Sequence, residues 1–296
     1  ITNPVIRQIF EENKNILWIT TDYGINRFNI ATKKFQPYYL GYKDKETFRE
    51  HSFLATRNSE GLILAASYKS GIYKFNTKSE DFEPFPIPEI DKNNIIQLFF
   101  DSSDNLWIVN DKNEIFRLKI KSDKITEKQK ITPPADFLHL CYDKKEKIWF
   151  QYENYTLGYY SIQTEKFSDW GSKPYGKLNE FLENEGNILF ATNTGLIQYN
   201  KHTKTESILL SGIPVLSVYS GTQDILWVGT DSQGIYRILP PQNYFNTFTS
   251  NNIPELGNYA VRAIYKDAEN KLWIGTKGGG VISITYLGAT LQQARK

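Results

Sequence analysis

Leu272-Trp273-Ile274-Gly275-Thr276 returns as Leu226-Trp227-Val228-Gly229-Thr230 and again as Leu17-Trp18-Ile19-Thr20-Thr21. Looser copies are Leu106-Trp107-Ile108, Ile148-Trp149-Phe150, Ile63-Leu64-Ala65-Ala66-Ser67 and Ile188-Leu189-Phe190-Ala191-Thr192. With the tryptophan position as pivot, the copies stand at residues 18, 64, 107, 149, 189, 227 and 273. The mean spacing is about 42.5 residues, so seven units fill a chain of 296.

Each unit has one internal grammar. An apolar segment precedes the pivot by about a dozen residues, as with Ile95 and Leu98 or Val261 and Ile264. A polar turn follows, such as Asn13-Lys14-Asn15 or Asp267-Ala268-Glu269-Asn270, built from residues that tolerate hairpin backbone angles. After the pivot strand comes a short loop, often with glycine, and then an alternating strand such as Gly71-Ile72-Tyr73-Lys74-Phe75 or Gly234-Ile235-Tyr236-Arg237-Ile238. A fourth apolar patch sits seven residues later, at Phe35, Phe82, Ile125, Phe167 and Phe245. Four short strands per unit predict an all-β fold, a seven-bladed β-propeller of four-stranded antiparallel blades. No linker divides the chain, so residues 1–296 read as one propeller domain. The seventh unit is the weak one, because Thr285–Lys296 lacks the phenylalanine and turn residues of the other fourth strands. Either that tail supplies a poor outer strand, or the blade has three strands, or residues before Ile1 complete it.

Composition narrows the function. The 35 Lys+Arg nearly cancel 33 Asp+Glu, leaving a formal +2 and no basic excess for nucleic acid. No apolar run is long enough to span a membrane. One cysteine, Cys141, and three histidines leave no disulfide framework and no metal-ligand spacing, and no cofactor motif is present. Gly278-Gly279-Gly280 follows a strand but lacks the spacing of a phosphate-binding loop. The chain opens at Ile1 with neither Met nor a signal pattern and reads as a fragment of a longer protein.

The repeated pattern, an Asp five residues before Leu-Trp-Ile-Gly-Thr and then Gly-Gly before an alternating strand, resembles the two-component regulator propeller repeat. Val261 to Ile284 matches best, followed by Ile6 to Phe28 and Val215 to Ile238. Units four and five depart from it, with Phe150-Gln151-Tyr152 after Trp149 and Leu189 as a pivot. The resemblance implies the periplasmic sensor region of a hybrid two-component system. Such a region detects a polysaccharide-derived oligosaccharide and signals to a kinase outside this chain. It also implies contacts with neighbouring sensor domains of the same chain, and a homodimer of the full-length protein.

The pivots themselves are read as packing residues, with Trp18, Trp107, Trp149, Trp227 and Trp273 buried between blades. His139 falls on an inner strand beside Cys141, and His202 in an exposed hairpin. Residues i and i+2 share a strand face, which does not by itself make a base–nucleophile pair. The candidate ligand-binding residues are therefore in the loops between second and third strands and on strand starts at the same end. They are Tyr23, Tyr68, Lys69, Asp111, Tyr152, Tyr155, Asp231, Arg262 and Lys277, with Tyr42, His51 and Tyr259 nearby. Tyrosines beside carboxylates and cations suit a sugar, whose apolar face stacks on rings while its hydroxyls take the polar groups. No catalytic constellation stands out, so the fragment reads as a non-enzymatic sensor. A propeller glycoside hydrolase or polysaccharide lyase, or a non-catalytic interaction scaffold, are the alternatives.

Overall fold

Each pivot lies on the second strand of an antiparallel meander, and the meanders follow one another along the chain. The computed structural model describes residues 1–41, 53–67, 71–87, 90, 94–172, 175–184, 186–221, 225–239, 249–250, 253–269, 271–287 and 290–295. Sheet one holds β1 (Ile6–Asn13), β2 (Ile16–Thr21), β3 (Gly24–Asn29) and β4 (Lys34–Tyr38). Sheet two holds β5 (Leu54–Arg57), β6 (Ile63–Ser67), β7 (Gly71–Asn76) and β8 (Asp81–Pro84). Sheet three holds β9 (Ile95–Phe100), β10 (Asn105–Asn110), β11 (Ile115–Lys121) and β12 (Lys124–Ile131). Sheet four holds β13 (Phe137–Tyr142), β14 (Lys147–Tyr152), β15 (Thr156–Ser161) and β16 (Lys166–Ser172). Sheet five holds β17 (Leu178–Asn184), β18 (Asn187–Thr192), β19 (Gly195–Asn200) and β20 (Glu206–Ser211). Sheet six holds β21 (Val215–Ser220), β22 (Leu226–Thr230) and β23 (Ile235–Ile238). Sheet seven holds β24 (Ala260–Lys266), β25 (Lys271–Lys277), β26 (Gly280–Leu287) and β27 (Thr290–Arg295).

This is the seven-bladed, all-β architecture that the repeat predicts. Among the described residues the one helical element is a short 3-10 turn, Pro254–Leu256. The fourth strand expected around Phe245 lies outside the described residues. The tail does supply an outer strand, because β27 pairs with β26 from Ser283↔Arg295 to Leu287↔Thr290. The chain forms two compact units, Ile1–Ile238 with sheets one to six and Leu239–Lys296 with sheet seven.

In the first unit, alternation along the second strand splits the pivot region between two cores. Leu106 and Ile108 enter the core between sheets two and three, and Trp107 and Val109 the core between sheets three and four. Both faces of β10 are therefore covered and all six of its residues are buried. That is why these strands read as continuous apolar runs rather than alternating ones. Each pivot of sheets one to five packs on the sheet that follows it. Trp18 meets Phe75 of sheet two at 4.9 Å between ring centroids, Trp107 meets Tyr160 of sheet four at 5.8 Å, and Trp149 stacks on Phe181 of sheet five at 4.5 Å.

The same rule corrects two of the five tryptophan expectations. Trp227 is 41% exposed and Trp273 is 39% exposed. Sheet six is the last of its unit and sheet seven the only one of its own, so neither unit contains a following sheet for these rings. The motif's acid also finds its purpose here. The indole Nε1 of Trp18 donates to Glu12, that of Trp107 to Asp101 and that of Trp273 to Asp267, each at 2.8 Å. Gly221 stands at the corresponding position before Trp227.

The cation of the third strand reaches the outer hairpin of the next sheet. Arg27 approaches Glu80 at 3.7 Å, Lys74 pairs with Asp123 at 2.7 Å and Arg117 with Glu165 at 2.5 Å. The three acids are half or more exposed, so each latch adds about 0–1 kcal/mol.

Candidate ligand-binding site

The loops between second and third strands are held to the start of their own sheets by one repeated bond. The first loop residue donates its backbone N–H to the segment leading into the sheet. The pairs are Asp22 to Val5 at 3.1 Å, Asp111 to Asn94 at 3.0 Å, Glu153 to Asp136 at 3.2 Å, Asn193 to Lys177 at 3.0 Å and Asp231 to Pro214 at 3.1 Å. The candidates Asp111 and Asp231 thus occupy equivalent positions at one end of their sheets. Tyr23 follows Asp22, whose carboxylate accepts from Arg7 Nε at 2.5 Å. Its ring is 38% exposed. Tyr155 is half exposed in a left-handed turn position, and its N–H donates to the Tyr152 carbonyl at 2.9 Å.

Tyr152 differs from the loop-tip side chain that its position suggests. It closes β14, is 8% exposed and lies parallel to Phe150. Tyr68, Lys69, Tyr42 and His51 lie outside the described residues. In the second unit Arg262 and Lys277 are exposed on β24 and at the end of β25. The glycine run there serves Tyr259, since a Cβ on Gly279 would stand 2.4 Å from its ring.

The first strands of sheets one to six line a cavity of about 900 Å³, bordered among others by Arg57, His139, Lys144 and Glu180. A side-chain belt that the sequence reading did not single out runs along this lining. Gln8 Oε1 accepts the N–H of Ala55 at 3.0 Å, and Gln97 Nε2 donates to the Leu140 carbonyl at 2.7 Å. His139 Nε2 lies 3.1 Å from the Asn179 carbonyl, and Glu180 Oε2 accepts the N–H of Val218 at 2.8 Å. All four follow a bulge in the first strand and tie it to the first strand of the next sheet. The signal was present: a polar residue nine or ten places before each of these pivots.

His139 Nε2 also stands 3.0 Å from Cys141 Sγ. Burial, then the charge of Glu180, pushes the thiol up to about 12, which leaves no thiolate for nucleophilic work at neutral pH. Burial holds the His139 imidazole below its usual value. Among the described residues no group of three His, Cys, Asp or Glu side chains is placed to hold a metal ion.

Burial raises the Glu180 carboxyl above its ordinary range, against the opposing effects of the Val218 N–H and Lys144. An acid raised in the folded state favours folding fully below its unfolded value and loses that contribution as pH rises through the folded one. Glu180→Gln keeps an oxygen for Val218 and removes the buried charge. Its melting temperature should exceed that of the unmodified chain at pH 7.5, with the gap closing by about pH 4. A constant gap across that range would show that the charge is not the cause.

Residues 255–278 match the family model described as the two component regulator propeller. Among curated proteins none matches the chain in sequence. Several solved structures share its fold. One, from B. thetaiotaomicron, is assigned as the extracellular domain of the hybrid two component system BT3049; it is 21% identical with a TM-score of 0.62 over 95% of this chain and 40% of its own. Another from that organism, assigned to the one component system BT4673, is 17% identical with a TM-score of 0.61 over 98% and 40%. The chain therefore spans about 40% of the length of these structures. A catalytically inactive virginiamycin B lyase from Staphylococcus aureus with quinupristin is 15% identical, with a TM-score of 0.58 over 94% of each chain. These likenesses establish the β-propeller fold, within which residues 255–278 are similar to a two component regulator propeller repeat.

Proposed function

We propose that the chain is one propeller module of the extracytoplasmic sensor region of a two-component regulatory protein. In this reading it binds an oligosaccharide released from a polysaccharide, carries out no chemistry on it, and passes the signal through neighbouring domains to a kinase elsewhere in the protein. The regulator repeat at residues 255–278 carries the proposal. Support comes from the extracellular domains of two component and one component systems that share the fold, and from the polar, tyrosine-bearing loops at one end of the first unit's sheets. No helix among the described residues is long and apolar enough to cross a membrane. In this reading Tyr23, Tyr68, Lys69, Asp111, Tyr155 and Asp231 are the candidate contacts of the first unit, and Arg262 and Lys277 those of the second unit by itself. Signalling further requires that the ligand prefer one of two arrangements of the whole sensor region, which is a proposed dimer.

The test is a melting screen of this chain, and of the whole extracytoplasmic region, against a panel of neutral, acidic and amino oligosaccharides. A ligand specific to the native fold adds about 2.7 kcal/mol at a hundredfold excess over its Kd, which reads as a rise in Tm with concentration. Silence of both proteins across the panel would favour an interaction scaffold.

A further inference from the structure

A second cavity, of about 670 Å³, opens at the same end of sheet four, where the lead-in segment, the β14–β15 loop and the outer strand β16 converge. It falls within the roughly 300–1,000 Å³ typical of small-molecule pockets. Three carboxylates line it, Asp136, Glu153 and Asp169, and no lysine or arginine does. In a chain of formal charge +2, that is a local concentration of negative charge. The rings of Tyr152 and Phe167 line the same cavity.

Tyr152 supplies the independent sign of a ligand. It is more than nine-tenths buried, yet among the described residues its hydroxyl makes no hydrogen bond, and its oxygen is not sealed from solvent. That oxygen is therefore met by water, which a ligand group can replace at little cost. The sheet is also shaped around this ring. A Cβ on Gly158 would stand 2.9 Å from its Cε2 and 3.1 Å from its Oη, so glycine is what lets the tyrosine lie there. Burial and the neighbouring Asp169 raise the phenol, which stays a neutral donor and acceptor.

We propose that this pocket binds the protonated amine of a sugar, a hexosamine unit with a free amino group. One carboxylate takes the ammonium in the negative field of the other two, the rings take the apolar face of the pyranose, and the Tyr152 hydroxyl bonds a ring substituent. An organic cation fits better than a metal ion, because these acids form no ligand cluster close enough to coordinate one. The inference rests on the oligosaccharide reading above and narrows it.

Calorimetric titration with a glucosamine disaccharide and its N-acetylated counterpart, at about pH 6 where the amine is protonated, separates the two claims. The free amine should bind at least about tenfold more tightly. Asp136→Asn/Glu153→Gln/Asp169→Asn should remove that preference while leaving the melting temperature close to that of the unmodified chain. Tyr152→Phe keeps the ring and should weaken binding several-fold. Equal binding of the two disaccharides, or a preference that survives the triple substitution, would overturn the amine site while leaving the sensor reading intact. Failure of the free-amine disaccharide to bind would also overturn it, and the melting panel judges the broader reading separately.

Discussion

Trp107→Ala should lower the unfolding free energy by about 3–5 kcal/mol, read as an earlier midpoint in urea with an unchanged slope. The indole is fully buried between sheets three and four, in T-shaped contact with Tyr160 and parallel to Phe99. Its Nε1 is satisfied by Asp101, which also accepts the backbone N–H groups of Ser103 and Asn105. Alanine removes the ring, opens a cavity and leaves one carboxylate oxygen with a partner fewer. Trp227→Ala, at a ring 41% exposed that lacks the acid, should cost less than half as much. Equal losses at the two positions would contradict the rule that a pivot is anchored by the sheet that follows it.

Gly195→Ala should cost about 2–4 kcal/mol, although it adds a single methyl group. Gly195 opens β19 at φ +152°, and a Cβ there would lie 2.1 Å from the Leu210 carbonyl oxygen. That oxygen belongs to the backbone of the paired strand β20 and cannot rotate away as a side chain would. Gly212→Ala provides the contrast. It has φ +72° but nothing within 4 Å of the added carbon, so only the backbone term of about 1 kcal/mol remains. Equal losses in chemical denaturation would mean that the carbonyl contact is relieved at no cost.

The pivots make the architecture legible in the sequence, because burial on both faces of a second strand forces the same apolar run to recur. Trp227 departs from the buried expectation for a related reason. The sequence marks which residues face a neighbouring sheet but does not say whether that sheet is present in the same compact unit. Loops were legible as polar, and the repeated N–H bond to the lead-in segment explains why Asp111 and Asp231 occupy like positions. Tyr152 is a candidate by its position at the loop, yet its interest lies in being buried, with Gly158 making room for its ring across the sheet. The belt of Gln8, Gln97, His139 and Glu180 escaped notice because a bulge shifts each by one place from simple alternation. One polar residue in a first strand looks incidental until several are aligned on their pivots.

The most direct test of the account is to follow a bound oligosaccharide over time, with calorimetry giving affinity and chromatography giving products from the same sample. Saturable binding with the sugar recovered intact is the expected result for a sensor module. Steady release of cleaved product, abolished by replacing one pair of acids, would contradict the account and make the propeller an enzyme.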